Sequence, residues 1–227
     1  FPARDAKAPP NLIDLTDLVL RRTFGIEYRL DLATRPDQKL GSDEVWDQAE
    51  SALQAALDRR GLPYRLDVGG GAFYGPKIDV KFNDAIGREW QGTTIQLDFM
   101  LPDRFQLEYT GADNKPHCPV MIHRAIFGTL ERFIGFLIEH FAGAFPLWLA
   151  PEQVRVLPIG DTQNEAARRF HESLRAAGVR SHLDARSETL NYKVRDGEIA
   201  KVPYLAVIGA REAEAGTVAV RIRGAGK

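Results

Sequence analysis

Within Gly71-Ala72-Phe73-Tyr74-Gly75-Pro76-Lys77-Ile78-Asp79-Val80-Lys81-Phe82-Asn83, resumed after a short break as Trp90-Gln91-Gly92-Thr93-Thr94-Ile95-Gln96-Leu97-Asp98-Phe99, the runs 77–83 and 94–99 alternate polar and apolar side chains. A period of two belongs to strands, whose successive side chains point to opposite faces. Lys77, Asp79, Lys81 and Asn83 share one face, while Ile78, Val80 and Phe82 share the other. In the second run Thr94, Gln96 and Asp98 alternate with Ile95, Leu97 and Phe99. Residues 77–83, 90–99 and a third extended segment at 104–110 are separated by short turns at 83–87 and 101–103. Connections that short predict antiparallel pairing.

Upstream, apolar residues recur at helical spacing over 12–22, and Thr23-Phe24-Gly25 hands over to a strand at 26–32. A second helix spans 42–60, with Ser42 as cap, Asp43 and Glu44 in its first turn, Trp46, Ala49, Leu53 and Leu57 as its buried stripe and Gly61 ending it. The first half is therefore α+β. Residues 141–151, broken by Gly143, Pro146 and Pro151, mark the domain boundary, which divides the chain into 1–148 and 149–227. Beyond it strands at 154–159, 179–183 and 204–208 alternate with helices at 162–177 and 190–200, the pattern of a small α/β domain with a largely parallel sheet. Val218, Val220 and Ile222 add one more strand, with Arg221 and Arg223 on one face.

The 227 residues carry 44% apolar and 27% charged side chains, so the chain is neither a disordered tail nor a membrane span. The single cysteine, Cys118, has no partner for an internal disulfide, and the opening Phe-Pro-Ala-Arg-Asp is no secretion signal; a reducing cytoplasm is the expected location. A chain that starts without Met is expected to be a piece of a longer one. The net charge of −1 hides an uneven split of 17 basic and 21 acidic residues in 1–150 against 13 and 10 in 151–227. The surplus in the second part suits either a polyanion partner or a solvated surface.

The glycine run Gly69-Gly70-Gly71 is not a nucleotide motif. Pro76 stands where a phosphate-binding loop needs its lysine, and Tyr74 takes the place of the third glycine of G-x-G-x-x-G. Glycine there still allows a ligand to approach the backbone, as it also allows a plain turn. The mostly neutral row Thr94, Gln96, Asp98 resembles a ligand floor more than a solvated face. Gln91 has the opposite parity to Gln96, so both face one cleft only if the strand bulges, and Gly92 is the place for it. His123 and Arg132 lie nine residues apart and on opposite sides of any unbroken helix; they share a site only if His123 belongs to a strand and the helix starts near Gly128. On spacing alone His123 is a hydrogen-bonded core residue rather than a metal ligand, and His117, Cys118 and His123 do not make a zinc spacing.

Gly71 to Lys77, Trp90-Gln91, Gln96-Leu97-Asp98-Phe99, Pro119-Val120-Met121-Ile122-His123-Arg124-Ala125 and Leu130-Glu131-Arg132-Phe133 together closely resemble the threonyl-tRNA synthetases. The likeness runs from about residue 12 to the C-terminus. It implies the latter part of a class II catalytic domain on an antiparallel sheet, with Glu131-Arg132-Phe133 in motif 3, followed by an α/β anticodon-binding domain. By the same likeness the activity is ATP-dependent activation of threonine and its transfer to tRNA. The implied catalytic residues are Lys77, near the reacting phosphates, and Arg132. Tyr74 and Gln96 would hold threonine, Gln91, Thr94 and Arg132 the nucleotide, and Arg195, Glu212 and Arg221 the anticodon bases. His123 matches one of three zinc ligands, which reverses the core reading of that residue. ATP with magnesium, threonine, the threonine tRNA and a homodimer in the complete enzyme are the implied cofactors and partners, with no membrane. Ser187 departs from the asparagine common in the family. Class II motifs 1 and 2, the other two zinc ligands, the editing domain and the final helix find no match here. The competing reading is a non-catalytic tRNA-binding or regulatory relative.

Overall fold

A computed structural model describes residues 8–225. The chain forms two compact units that meet in sequence between Phe136 and Leu137. Pro2 and the opening five residues lie outside the described residues.

In the first unit, α1 (Ala8–Asp17) runs into a π-helical turn at Leu18–Thr23, and Gly25, at φ +70°, turns the chain toward β1 (Arg29–Ala33). Helix α2 (Asp43–Asp58) buries Trp46, Ala49, Leu53, Ala56 and Leu57, one stripe at helical spacing. Ser42 occupies its N-cap position, but its hydroxyl bonds the Glu44 carboxylate instead of the helix backbone and holds that group below its usual range. There follow β2 (Tyr64–Asp67), β3 (Lys77–Asn83), β4 (Glu89–Asp98), the short helix α3 (Met100–Arg104), a hairpin of β5 (Tyr109–Thr110) and β6 (Pro116–His117), β7 (Met121–Ala125) and α4 (Leu130–His140). The segment expected as a strand at 104–110 is corrected. Asp98 Oδ1 accepts the backbone N–H groups of Met100 and Leu101, both at 2.9 Å, which starts a helical turn and leaves only Tyr109 and Thr110 extended.

The main sheet has the order β2-β1-β3-β4-β7, antiparallel except for β1 and β2. One face is apolar and closed: Leu30, Leu32, Ile78, Val80, Ile95 and Leu97 are all buried. Each such side chain contributes ~1.5–3 kcal/mol when fully removed from water. On that side the Phe82 and Phe136 ring centroids lie 4.5 Å apart, which ties the middle of α4 to β3. The other face carries the polar row.

In the second unit the parallel strands β8 (Val154–Pro158), β9 (Ser181–Leu183) and β10 (Tyr204–Ile208) and the antiparallel β11 (Ala219–Ile222) order as β11-β10-β8-β9. Between them run α5 (Asn164–Ala176), α6 (Leu190–Ile199) and α7 (Ala210–Ala215). Val156, Ala206, Ile208 and Ala167 form one core layer, and Leu157, Val194, Val202, Leu205 and Val207 the other. Arg223 does not share a strand face with Arg221, as the alternation had implied. It lies in the turn after β11, where its guanidinium donates to the carbonyls of Lys201, Ala144 and Phe145.

Candidate functional site

Antiparallel partners point to the same side of a sheet, so the register assembles the polar face row by row. Lys77 stands opposite Gln96 and Gln96 opposite His123; Asp79 stands opposite Thr94; Lys81 stands opposite Gln91. The pairing shifts by one residue between Asp79 and Lys81, so β4 carries a bulge at Gly92 and Thr93. It brings Gln91 and Thr94, three residues apart, within 3.1 Å of one another. A side chain at Gly92 would run into the Phe82 ring, its Cβ 2.2 Å from Phe82 Cε1.

The row is a connected network. Tyr74 Oη donates to Gln96 Oε1 at 3.0 Å, and Gln96 Nε2 reaches the Gly75 carbonyl at 3.4 Å. The Tyr74 ring stands edge-on to the His123 ring, with centroids 6.4 Å apart. His123 Nε2 lies 2.9 Å from Oδ2 of Asp98, whose side chain is fully buried. The Gly71–75 loop thus delivers Tyr74 to the centre of the sheet. It comes so close that a Cβ on Gly75 would sit 1.8 Å from the Leu97 carbonyl oxygen. Asp79, 1% exposed, accepts from Lys77, Gln91 and Thr94 together.

A second cluster continues the face toward β1. Asp31 takes both Arg29 Nε at 2.8 Å and Lys81 Nζ at 2.9 Å, and Arg29 also reaches Glu89 at 2.7 Å. The Arg29 hydrogen bonds, joined by Lys81 and opposed by burial, hold the Asp31 carboxyl down at about 2. An unfolded Asp titrates near ~3.9, so the charged form is favoured by folding; its contribution is complete above that value and disappears as pH falls through about 2. The urea midpoint of the first unit should fall between pH 4 and 2, and Asp31→Asn should flatten that part of the profile. An unchanged slope in the variant would show that Asp31 does not carry it.

His123 lies within β7 and α4 starts at Leu130, with Gly128 at φ +68° between them, the break that the two residues need if they are to share a site. Arg132, exposed in the first turn of α4, places its guanidinium 5.4 Å from the Trp90 ring centroid. Trp90 pairs with Phe82 and so belongs to the opposite face; its indole N–H donates to Asp84 at 2.8 Å. The structure brings Tyr74, Lys77, Gln91, Thr94, Gln96 and His123 onto one floor and sets Arg132 beside Trp90. Asp31 was not singled out by sequence reasoning, and Asp79 and Asp98 were read only as members of their polar rows, without a role of their own.

In the second unit Arg195 is exposed on α6, which Arg155 and Arg186 hold through Asp196 at 3.0 and 2.8 Å. Glu212 accepts the Gly209 N–H at 3.0 Å and lines a hollow of about 260 Å³ with Arg169, Phe170 and Thr217. Arg221, exposed on β11, lines a different hollow of about 430 Å³ with Glu198 and Lys201. The three candidates are thus not gathered into one cavity. Ser187 is exposed in the loop before α6.

Residues 7–141 match the family model described as the tRNA synthetase class II core domain (G, H, P, S and T). This chain belongs to the class II aminoacyl-tRNA synthetases. Residues 153–227 of the synthetase chain match the anticodon binding domain model. It is 52% identical over 216 residues to a threonine–tRNA ligase of Carboxydothermus hydrogenoformans, and 56% identical over 200 residues to one of Oleidesulfovibrio alaskensis. These alignments cover 95% and 88% of this chain but 33% and 31% of the relatives, so the chain spans about a third of their length. Among solved structures, the RNA binding domain of threonyl-tRNA synthetase from Cryptosporidium parvum superposes with a TM-score of 0.93 at 38% identity, over 98% of this chain and 56% of the other. A prolyl-tRNA synthetase from the same organism, at TM-score 0.62 and 18% identity over 99% of this chain and 44% of the other, shares the fold.

The described residues of the synthetase do not fit a zinc centre. Among them no three His, Cys, Asp or Glu side chains converge, and His123 is engaged by Asp98. A tetrahedral zinc needs three or four ligands, so His123 alone would not hold one. Among the described residues no helix is long and apolar enough to cross a membrane.

Proposed function

We propose that this chain serves threonine–tRNA ligation, with residues 1–148 contributing the floor of the activation site and 149–227 the surface that reads the anticodon. What supports the reading is the order of the two matching models on one chain that is 52% identical to a threonine–tRNA ligase over 95% of its own length. In this reaction a threonine carboxylate oxygen attacks the α-phosphorus of ATP and pyrophosphate leaves. A ribose hydroxyl at the end of the tRNA then attacks the threonyl carbonyl carbon, and AMP departs with the electron pair of the broken bond.

Tyr74 and Gln96 hold threonine by hydrogen bonds on the sheet. Gln91 and Thr94 orient the nucleotide, and the Lys77 ammonium lies beside the phosphates, where a fixed positive charge favours the charge that develops on them. The resemblance gives Arg132 the part of a planar cation for the phosphates or the adenine ring, a role for which it has to leave its place beside Trp90 on the opposite face of the sheet. Magnesium accompanies ATP as its counterion. Arg195, Glu212 and Arg221 read bases splayed out of the anticodon loop, by hydrogen bonds and guanidinium stacking. A homodimeric complete enzyme and a cytoplasmic location belong to the same reading.

The purified chain should bind the anticodon stem-loop of a threonine tRNA about 10-fold more tightly than an unrelated stem-loop at the same salt concentration. Equal affinity for both would overturn the anticodon reading. Arg221→Ala should weaken the cognate complex by ~1–2 kcal/mol, the value of one stacked or bidentate base contact, and the unrelated complex by less. Equal losses for the two loops would reduce Arg221 to a phosphate contact.

A further inference from the structure

Asp79 is a carboxylate 1% exposed at the centre of the polar face, and three candidate ligand-binding side chains spend donors on it. Its Oδ1 accepts from Gln91 Nε2 at 2.7 Å and from Thr94 Oγ1 at 3.1 Å, and its Oδ2 from Lys77 Nζ. Gln91 Nε2 also donates to Thr94 Oγ1, at 3.1 Å. The hydrogen inventory of this triangle closes. Both amide hydrogens of Gln91 are used, one on Asp79 and one on Thr94, and the hydroxyl hydrogen of Thr94 is used on Asp79. An ionised carboxylate only accepts, so Gln91 has to turn its NH2 group inward. Gln91 is nevertheless exposed, and what it has left for a ligand is Oε1, an acceptor.

We propose that Asp79 is a positioning residue that sets the hydrogen-bond polarity of this floor: it fixes Gln91 with its acceptor outward, so that Gln91 recognises a donor group of a bound nucleotide. The inference rests on the nucleotide reading given above and makes it specific. Phosphate oxygens are acceptors and have nothing to offer Gln91 Oε1. The donors of ATP are its ribose hydroxyls and its 6-amino group. Lys77 keeps two of its three donors and supplies the complementary function toward the phosphates.

Two measurements on the purified chain test this. In the free chain, both Gln91 side-chain amide protons should be shifted downfield and slow to exchange with water, and Asp79→Asn should release at least one, because an asparagine offers its own donors and lets Gln91 reverse. Amide protons that exchange freely in the native chain would overturn the proposal. With magnesium present, the chain should bind ATP about 2- to 10-fold more tightly than the analogue that lacks the recognised donor. Weakened 2′-deoxy-ATP or 3′-deoxy-ATP identifies a ribose hydroxyl, and weakened ITP, whose 6-position is an acceptor, identifies the adenine amine. In Asp79→Asn the same ratio should shrink to within about 2-fold. A merely structural Asp79 would lower affinity for all four nucleotides together and leave the ratios alone, which overturns the proposal. Undetectable binding of ATP at millimolar concentration, with the Gln91 protons still held, would instead overturn the nucleotide reading beneath it.

Discussion

Trp46→Ala is expected to lower the unfolding free energy of the first unit by ~3–5 kcal/mol, the range for removing a large aromatic side chain from a packed core. Trp46 is fully buried on α2, its indole N–H donates to the Leu40 carbonyl at 2.7 Å, and its ring stands edge-on to Phe99 with centroids 5.8 Å apart. Truncation therefore opens a cavity and leaves the carbonyl without its indole donor; the two effects have the same sign. Urea unfolding followed at the remaining tryptophans measures the change. A loss below ~1 kcal/mol would mean that the neighbouring chain collapses into the space. Trp46→Phe, which keeps most of the volume and loses the hydrogen bond, should fall between the two.

The second large effect is expected at Gly75, where no rotamer change can help. The obstacle to a Cβ is the Leu97 backbone oxygen at 1.8 Å, in β4, an interior strand of the sheet. Overpacking costs ~1–3 kcal/mol when side chains can move aside, and Gly75→Ala should reach or exceed the upper value because here the backbone must move. The Leu97 N–H bonds the Pro76 carbonyl at 3.1 Å, so this amide should lose its protection from hydrogen exchange in the variant. Tyr74 would leave Gln96 at the same time. A variant with native stability and a protected Leu97 amide would refute the close approach of the loop.

The features that the sequence discloses well are those with a long periodic signal. Helix α2 shows its stripe from Trp46 to Leu57, and β3 alternates without fault from Lys77 to Asn83. Even the bulge is legible, because Gln91 and Gln96 cannot otherwise meet. Short elements are not. Strand β2 has four residues and pairs in parallel with β1, Tyr64 opposite Leu30, and α7 has six residues, too few for a period. The misread segment at 104–110 owes its helical start to Asp98, whose capping of Met100 and Leu101 depends on where that side chain points. The floor residues Tyr74, Lys77, Gln91, Thr94, Gln96 and His123 come from resemblance and alternation, and the sheet register puts them side by side. Asp79 was hidden for the opposite reason. It is one residue in a polar row of four that alternation alone assigns either to solvent or to a cleft, and only the pairing with Thr94 shows that it is buried beneath its neighbours' donors.

The bulge in β4 also fixes how the strand counts. Because Gly92 and Thr93 together face a single position of β3, the segment before them and the segment after them keep separate phase. Removing Gly92 would turn the strand regular while leaving Lys81 opposite Gln91 and Asp79 opposite Thr94. Removing Ile95 would reverse every side chain on one side of the gap. The floor can therefore absorb a change of length at the bulge without changing which side chains it shows, a tolerance that an unbroken strand lacks.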